Sequence, residues 1–393
     1  MTIPHLFRCP ISLDLFEDPV TLCTGQTYDR SCIEKWLAAG NLTCPVTMQK
    51  LQDPSIVPNH TLRHLIDKWR QLGTEFDPGY SADIAFLSAL KHNLESDSDT
   101  ITIENKLQTL EKIRALSDEY CSSRKSCFLQ LGFLSLLLEL VFGRVESQLP
   151  KDHMGFIELA LSCTIKLLPL GNLQALDMLK EDSKLLSLQD LFEQGTIVIK
   201  ICLCHLIEAL ESPDTKEVCF IIGNTQRLLH QIVLLLYQNF EASMAGVKAL
   251  TALCSLQCNK ENLVRSGAVD GIITYISSCE RQSLALMAMA TIENLLGLES
   301  GKEALVNNPN GVEVLVKMVF RVSNQECSDT AVGSLLIVCY YSCRAREEAI
   351  GAGVLTQLLL LLQSQCSNRT KTKARMLLKL LRSKWVEDHP NQV

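Results

Sequence analysis

Aromatic residues and long apolar runs are both scarce in this 393-residue sequence. Phe, Trp and Tyr make up 6% of it, whereas 47% of its residues are hydrophobic, with Leu and Ala abundant. This balance favours a helical protein over a β-sandwich or barrel. The richest apolar stretch, residues 131–143, is interrupted by Glu139 and is shorter than the roughly 20 apolar residues of a membrane-spanning helix. We therefore expect a helical protein without an integral membrane segment.

The sequence also lacks an excess of positive charge and an N-terminal leader. Lys and Arg number 37 against 44 Asp and Glu, for a net charge of −7, which is not the basic balance of a general nucleic-acid binder. The first residues do not follow the charged-then-apolar pattern of a signal peptide. The 17 cysteines are scattered and odd in number, so we expect reduced thiols that pack as small hydrophobic residues. These features favour a cytoplasmic protein that does not bind nucleic acid.

The chain falls into two parts of different composition. Six of the twelve prolines precede residue 77, whereas Leu-rich helical periodicity dominates from about residue 101. Between them, Asp77-Pro78-Gly79 is a turn signal and residues 95–100 are polar and acidic. We predict a first domain over residues 1–76, a linker and polar loop over 77–100, helical repeats with a C-terminal capping helix over 101–385, and a tail over 386–393.

The second part repeats with a period in the forties. Successive basic anchors at Lys216, Lys260, Lys302 and Arg346 are 44, 42 and 44 residues apart. A Gly follows seven residues after a basic residue at Lys125/Gly132, Lys216/Gly223, Lys260/Gly267 and Arg346/Gly353. We expect each unit to have a short helix that ends at this Gly in the left-handed conformation, and then two longer helices. Such units stack into one continuous core.

Three further expectations follow from this repeat. The gap between Lys125 and Lys216 predicts a degenerate copy near residue 170. Second helices are expected over 269–276, 312–319 and 354–362, and third helices over 284–296 and 331–341. The basic segment 369–384 is expected to cap the stack with a solvated positive face.

The first part has the spacing of a cross-braced two-zinc finger but few of its ligands. The eight ligand positions fall on Cys9, Ser12, Thr24, Gln26, Asp29, Cys32, Cys44 and Thr47. Three thiols cannot complete two closed tetrahedral zinc sites. Polar side chains can instead support the same loops by hydrogen bonding. We therefore expect a metal-free domain with a polar network that includes Ser12, Asp29 and Asn59.

These replacements are typical of the U-box, and residues 1 to about 73 resemble that family. The resemblance is carried by Ile3-Pro-His-Leu-Phe-Arg-Cys-Pro-Ile-Ser12, Asp18-Pro-Val20, Gly25-Gln-Thr-Tyr-Asp-Arg30, Ile33-Glu-Lys-Trp36, Cys44-Pro45 and Pro58-Asn-His-Thr-Leu-Arg63. With its armadillo-like repeats, the chain resembles a plant U-box ubiquitin ligase of the short class. The resemblance implies a mostly α fold, with a small α+β metal-free U-box followed by an α-solenoid of armadillo-type repeats.

The same resemblance implies a ubiquitin-protein ligase that forms no covalent intermediate. Such ligases hold a ubiquitin-conjugating enzyme charged with ubiquitin and promote direct transfer to a substrate lysine by positioning alone. The implied partners are the conjugating enzyme, ubiquitin and a protein substrate bound by the repeats, with no cofactor and no catalytic side chain. A homo-oligomer formed through the U-box is left open. Plant ligases of this class commonly act in stress and immune signalling, so a role in plant defence is an expectation from resemblance.

In the family, the conjugating enzyme docks on two loops and the helix between them. Carried over by residue, the first loop supplies Ile11 and Leu13, the helix supplies Trp36 and the second loop supplies Pro45. Exposed apolar anchors on a small rigid scaffold suit a weak, reusable interface. Many related ligases carry a bridging Arg just beyond the second loop, but the residue here is Met48, which supplies no cation. Core roles are expected for Phe7, Val20, Tyr28, Leu51 and Leu62, and a buried stripe on the helix for Ile33 and Leu37.

Two alternatives to this function stay open. A ligase that forms its own thioester needs an activated thiolate, and Cys202-Leu203-Cys204-His205 is the only cluster that invites this interpretation. It lies in an apolar helical stretch, where buried core thiols are expected. The second alternative is a non-enzymatic armadillo adaptor with a weakly active or inert U-box.

Armadillo proteins that bind extended peptides carry a recurring Asn on each third helix. Asn294 fits that position, but Cys254 and Cys339 occupy it in the neighbouring repeats. Peptide capture by a ladder of Asn side chains is therefore not expected, and another interaction along the groove stays open.

Overall fold

The computed structural model describes residues 5–74, 78–96, 103–119, 127–143, 151–168, 173–278, 284–320 and 326–388. The chain divides into two compact units. The first comprises Met1–Ser96 and Glu119–Leu131, and the second comprises Asp97–Asp118 and Gly132–Val393.

The first unit opens with a small α+β domain. After a 3-10 turn at His5–Phe7, the chain forms β1 (Pro19–Thr21), β2 (Thr27–Asp29), α1 (Arg30–Ala38), β3 (Val57–Pro58) and α2 (His60–Thr74). The strands form one antiparallel sheet in the order β2-β1-β3. Val20 at its centre pairs with Tyr28 on one side and Pro58 on the other, so this short sheet positions the start of α1 and of α2.

The core of this domain draws residues from its strands, its helices and the segments between them. Val20, Tyr28 and Leu51 are buried, as predicted. Phe7 and Leu62, also predicted as core, are only partly buried and pack against its edge. The remaining buried members are Cys9, Phe16, Leu22, Ile33, Cys44 and Ile66.

A helix stands where the sequence predicted a linker. Helix α3 (Pro78–Glu95) has 18 residues and buries Leu87, Leu90 and Leu94 on one face. Residues 97–100 of the acidic patch lie outside the described residues. The helix is therefore part of the first unit, and the prediction of a linker is wrong for 78–95.

The second unit is a helical solenoid. Its helices are α4 (Ile103–Glu119), α5 (Phe133–Phe142), α6 (Lys151–Leu167), the 3-10 segment Leu173–Lys180, α7 (Asp182–Gln194), α8 (Ile197–Glu208), α9 (Lys216–Gly223), α10 (Gln226–Leu235), α11 (Phe240–Cys254), α12 (Lys260–Arg265), α13 (Ala268–Ser278), α14 (Ala285–Leu295), α15 (Glu299–Asn307), α16 (Gly311–Val319), α17 (Glu326–Tyr341), α18 (Cys343–Gly351), α19 (Val354–Gln363) and α20 (Asn368–Asp388).

These helices form triplets whose equivalent members stack on one another. The second members, α5, α7, α10, α13, α16 and α19, contact in succession, and so do the third members, α6, α8, α11, α14, α17 and α20. The predicted second and third helices are confirmed, and their ends differ from the prediction by at most five residues. The 3-10 segment Leu173–Lys180 begins the degenerate copy expected near residue 170. Helix α20 covers the predicted capping segment, and residues 389–393 of the predicted tail lie outside the described residues.

The glycines that end the first helices have two different roles. Gly132, Gly267 and Gly353 take positive φ angles of 70°, 85° and 83°, as the predicted C-caps require. Gly223 has no positive φ and is the last residue of α9, so that prediction is wrong there. A Cβ at Gly223 would overlap the buried side chain of Asn259, which donates to two backbone carbonyls. Glycine is therefore required at position 223 because a larger residue would not fit, and not because of the backbone conformation.

Within the described ranges, no single helix is long and apolar enough to cross a membrane. The pair α9 and α10, bent by 85°, meets the length and composition test only when the two helices are taken together.

Candidate docking site

Two loops of the first domain have the same construction. We call residues 9–14 loop one and residues 44–49 loop two. The N–H of Cys9 donates to the carbonyl of Asp14 (2.8 Å), and the N–H of Cys44 donates to that of Gln49 (2.9 Å). In each loop the N–H of the fifth residue returns to the carbonyl of the cysteine, at 2.8 and 2.9 Å. Both turns are thus closed by two backbone hydrogen bonds.

The fifth residue of each loop has a left-handed backbone. Leu13 has φ of 63° and Met48 has φ of 58°, the only positive φ values of non-glycine residues in the described chain. This conformation is unfavourable for a bulky side chain. The side chains are 64% and 71% exposed, so each loop presents a large apolar group to solvent from a strained backbone.

The third residue of each loop is also apolar and exposed. Ile11 is 38% exposed and Val46 is 50% exposed. Together with Leu13 and Met48, they form two matched pairs of apolar side chains on the two loops. Exposed apolar groups held on closed turns are what a partner protein can bind without prior ordering.

The buried sulfurs of Cys9 and Cys44 anchor the two loops to the rest of the domain by hydrogen bonds. Sγ of Cys9 accepts the N–H of Asp29 at 3.3 Å. Sγ of Cys44 lies 3.3 Å from the Thr24 hydroxyl and 3.0 Å from that of Tyr28. Tyr28 and Asp29 are consecutive residues of β2. This strand therefore holds loop two through Tyr28 and loop one through Asp29.

Hydrogen bonding to these sulfurs outweighs their burial. Burial alone would raise the pKa of Cys44, but hydrogen bonds from Thr24, Thr47 and Tyr28 lower that pKa to about 6. Burial likewise opposes ionisation of Cys9, whereas backbone N–H groups, first that of Asp29, hold its pKa below the ordinary value. Among the described residues, no three His, Cys, Asp or Glu side chains come together to hold a metal.

Tyr28 also fixes the backbone of loop two. Its hydroxyl accepts the N–H of Val46 at 3.1 Å while it bonds to Cys44. Burial, and next the bond to Cys44, raise the pKa of Tyr28, so its hydroxyl keeps its proton and can act as donor and acceptor at once.

The Asp29 carboxylate links the segment that follows loop one to helix α1. Its Oδ2 accepts the N–H groups of Glu17 (2.7 Å) and Asp18 (3.0 Å), and its Oδ1 accepts the N–H and hydroxyl of Ser31. It is the N-cap of α1. Burial opposes its ionisation, but these bonds, first the Asp18 N–H, hold the pKa of Asp29 below its usual range.

The other two predicted network residues, Asn59 and Ser12, also form hydrogen bonds. Asn59 donates to the Thr27 hydroxyl at 3.2 Å and accepts the N–H of Leu62 at 3.0 Å, so it joins β2 to α2. Ser12 accepts the N–H of Asp14 at 3.3 Å within loop one.

Trp36 lies at the surface edge of α1 beside loop two. The indole N–H donates to the carbonyl of Thr43 at 2.9 Å, and the half-buried ring packs against the edge of the domain core. Ile33 is fully buried and Leu37 is half-buried, which leaves one edge of Trp36 open. Pro45, the second residue of loop two, is half-buried. The structure thus brings Trp36 and loop two together through Thr43.

Sequence reasoning missed Val46 as an exposed anchor and the matching of the two loops. The signal was available. Cys9-Pro-Ile-Ser-Leu-Asp14 and Cys44-Pro-Val-Thr-Met-Gln49 align as Cys, Pro, β-branched, hydroxyl, apolar and polar. Alignment of the two segments would have paired Ile11 with Val46 and Leu13 with Met48.

The cysteine cluster on α8 does not have the surroundings of a nucleophile. Cys204 is fully buried, and burial raises its pKa. Burial and nearby carboxylates raise the pKa of Cys202 to about 11. Nδ1 of His205 is engaged with Glu208 at 3.1 Å. These shifts are opposite to those of an activated thiolate.

Three described third helices, α11, α14 and α17, carry Cys254, Asn294 and Cys339 at the position considered for an Asn ladder. Asn294 is exposed and its amide donates to the carbonyl of Ala290. Cys254 and Cys339, at the equivalent positions, are buried at 4% and 0% exposure, so their side chains are closed to a ligand.

Comparisons with known proteins agree with this architecture. Residues 3–73 match the family described as the U-box domain, and residues 88–390 match the plant U-box protein ARM repeat region. The chain is 33% identical over 403 residues to U-box domain-containing protein 26 of Arabidopsis thaliana, covering 98% of this chain and 93% of that protein. It is 30% identical over 406 residues to E3 ubiquitin-protein ligase PUB23 of the same plant, covering 99% and 94%.

A solved chain described as "A conserved phosphorylation switch controls the interaction between cadherin and beta-catenin in vitro and in vivo" resembles the fold. Its TM-score is 0.61 at 12% identity, covering 82% of this chain and 59% of that one. At this identity the likeness concerns the fold alone. The family matches span most of the sequence, and the chain belongs to the plant U-box proteins with armadillo repeats.

Proposed function

We propose that this chain is a ubiquitin-protein ligase whose two matched loops dock a ubiquitin-charged conjugating enzyme. The observation that carries the proposal is the pairing of Ile11 and Leu13 with Val46 and Met48 on turns of identical hydrogen bonding. Trp36 and Pro45 complete the surface. The family match and the ligases among the relatives support this function.

The chemistry is positioning without a covalent intermediate. A docked enzyme and its ubiquitin lose freedom, and the thioester is presented to a substrate lysine, an effect that supplies large rate factors without a catalytic side chain. The thiols of α8 have raised pKa values, and Cys204 is buried while Cys202 is half-buried, which is consistent with direct transfer. Met48 stands where related ligases have a bridging Arg, so this interface relies on its apolar contacts.

In the complete function, the armadillo repeats select the substrate. Their stacked third helices form an extended surface of the kind that solenoids use for binding. A role in stress or immune signalling, a cytoplasmic location and a homo-oligomer through the U-box all stay predictions.

The test is a reconstituted ubiquitination assay with the full chain and a panel of conjugating enzymes. We expect ubiquitin ladders with at least one enzyme, and their loss in Ile11→Ala. The matched control is Leu65→Ala, which truncates a 49% exposed leucine on α2 outside both loops, and we expect it to retain the ladders.

Two results would overturn the proposal. Equal activity of Ile11→Ala and wild type would show that the loops are not the docking surface. If the folded chain still bound a partner protein but gave no ubiquitin ladders with any enzyme, the adaptor with an inert U-box would be favoured.

A further inference from the structure

Helix α1 ends at the turn that holds the backbone carbonyl of Trp36. In a continuing helix, the N–H of Gly40 would donate to that carbonyl. Gly40 instead has φ of 83°, and its N–H donates to the carbonyl of Leu37 at 3.0 Å. The chain thus turns out of the helix at Gly40, and the Trp36 carbonyl becomes one of the helix-end acceptors that need another donor.

The side chain of Asn41 supplies this donor. Its Nδ2 donates to the carbonyl of Trp36 at 3.1 Å, and the residue is half-buried. The amide of Asn carries N–H donors, whereas an ionised carboxylate of the same shape carries none. Asn41 therefore fixes the main chain of Trp36 through a bond that depends on its residue type.

The same short segment also holds the ring of Trp36. We call residues 40–43 the clamp segment. The indole N–H of Trp36 donates to the carbonyl of Thr43 at 2.9 Å, and Thr43 is only two residues beyond Asn41. Trp36 is thus held at its main chain by Asn41 and at its ring by Thr43, so the clamp segment determines where the indole lies.

The clamp segment is itself joined to the strand-like segment that follows loop two. The carbonyl of Leu42 accepts the N–H of Leu51 at 2.9 Å, and Thr43 pairs with Lys50 in an antiparallel bridge. Thr43 also directly precedes loop two. Consecutive hydrogen bonds therefore couple the position of the Trp36 indole to that of loop two.

We propose that Asn41 is a positioning residue of the docking surface, which holds the indole of Trp36 beside loop two in the orientation that a conjugating enzyme meets. The inference rests on the proposed function, in which Trp36 belongs to the docking surface. Asn41 acts through Trp36, because its amide is bonded to the carbonyl of that residue. A ring that is already ordered lowers the cost of binding, so loss of Asn41 weakens docking and leaves the transfer step unchanged.

The test measures the affinity of a fluorescein-labelled ubiquitin-conjugating enzyme for the full chain by fluorescence anisotropy, after a panel of such enzymes has been screened against wild type. Asn41→Ala removes the donor, and Asn41→Asp keeps the shape but not the N–H. We expect Asn41→Ala to weaken binding about fivefold, as for the loss of one hydrogen bond, and Asn41→Asp at least as much. The matched control is Asn93→Ala, which truncates an exposed Asn on α3 and should bind as wild type does.

A second background separates positioning from a general structural role. Trp36→Phe keeps an aromatic ring but removes the N–H that bonds to Thr43. Since Asn41 acts through the held indole, Asn41→Ala should change the affinity of this variant by less than about twofold. A helix end that only stabilised the fold would give the same loss in both backgrounds.

Single-turnover discharge of ubiquitin from the charged enzyme gives an independent readout. As the ligase concentration is raised, Asn41→Ala should need about five times more protein for half-maximal discharge, in line with its affinity. Its maximal rate should equal that of wild type, because the amide of Asn41 does not contact the reacting groups.

Three results would overturn the inference. They are equal affinities of Asn41→Ala and Asn93→Ala, the same loss from Asn41→Ala in the Trp36→Phe background, and a lower maximal rate with unchanged half-saturation. Thermal unfolding is measured for every variant. If Asn41→Ala is unfolded at the assay temperature, Asn41→Asp, which keeps the shape of the native side chain, decides.

The ligase proposal is judged on discharge by wild type alone. Binding of a conjugating enzyme without discharge would contradict the proposed function, and the role of Asn41 would then be decided by the affinities. Discharge by wild type with equal affinities of the two Asn variants would retain the ligase and overturn the inference. No binding of any conjugating enzyme by wild type would contradict both.

Discussion

At the scale of single residues, Leu13 and Met48 are the most informative positions. Both are bulky, exposed and held at positive φ, a combination that costs free energy and persists only where the surrounding structure imposes it. Here the two closing hydrogen bonds of each loop impose it. Resemblance to the U-box predicts Leu13 as a docking residue, but the backbone strain and the proposed role of Val46 depend on hydrogen bonds that residue types alone do not specify.

Met48 offers a gain-of-function test. Substitution Met48→Arg places a guanidinium on the exposed tip of loop two, where it can bond two acceptors of docked partners at once. We expect several-fold faster discharge of ubiquitin from a charged conjugating enzyme, measured under single-turnover conditions. Met48→Gln is the control, because it is polar and long but uncharged.

The control variant sharpens the interpretation. A similar rate increase in Met48→Gln would mean that loss of the apolar tip, not addition of a cation, was responsible. No change in Met48→Arg would show that this position does not face the bound ubiquitin and enzyme.

At the scale of elements, the sequence was most informative where helical periodicity and glycine caps agreed. The helices around Gly267 and Gly353 were predicted because a short apolar helix, a Gly and a second apolar helix recur at fixed spacing. Helix α3 was missed because Asp77-Pro78-Gly79 was interpreted as a turn. Pro78 is instead the first residue of the helix, where its missing N–H costs nothing. The sequence Asp-Pro-Gly is thus compatible both with a turn and with the start of a helix.

The glycine caps predict opposite effects at two neighbouring positions. Gly353 has φ of 83°, so Gly353→Ala forces a Cβ into the left-handed region and should cost about 1 kcal/mol. Gly351 closes helix α18 without a positive φ, and a Cβ there meets nothing within 4 Å. Gly351→Ala should therefore stabilise by about 0.5–1 kcal/mol. Thermal unfolding followed by circular dichroism measures both, and shifts of the same sign would contradict the assigned cap.

The contribution of Asp29 to the free energy of unfolding depends on pH. The folded state holds its pKa below the ordinary value, so the folded chain binds fewer protons there than the unfolded chain. The stabilisation is complete above the ordinary pKa of about 4 and is lost as the pH falls through the lower folded value. Asp29→Asn should lower the unfolding free energy of the first domain by about 1–3 kcal/mol at neutral pH and flatten its loss in acid.

Urea unfolding followed by tryptophan fluorescence checks this, since two of the three tryptophans, Trp36 and Trp69, belong to the first domain. Asp67→Asn, an exposed position on α2, is the matched control. Equal pH profiles for the two variants would contradict the role of Asp29 as the link between the segment that follows loop one and α1.

At the scale of the whole molecule, the two parts differ in how far sequence reasoning reached. The U-box was recognised from local motifs, and the predicted docking residues were carried over from that resemblance. The solenoid was recognised from periodicity, which predicts helices and stacking but not which side chains share a surface. Thr196 and Glu158 are 38 residues apart in sequence and are hydrogen-bonded only because α6 and α8 stack on each other. Side-chain contacts between stacked helices are therefore beyond the reach of any local sequence pattern.

The central claim is that two matched loops dock a charged conjugating enzyme and accelerate transfer without metal or covalent intermediate. The most direct measurement is single-turnover discharge of ubiquitin to free lysine by the full chain, with a zinc chelator present, for wild type and Ile11→Ala. The account predicts chelator-resistant acceleration by wild type that is lost in Ile11→Ala, with no thiol-sensitive ubiquitin adduct on the chain. Chelator-sensitive discharge, equal rates for the two proteins, or such an adduct would contradict it.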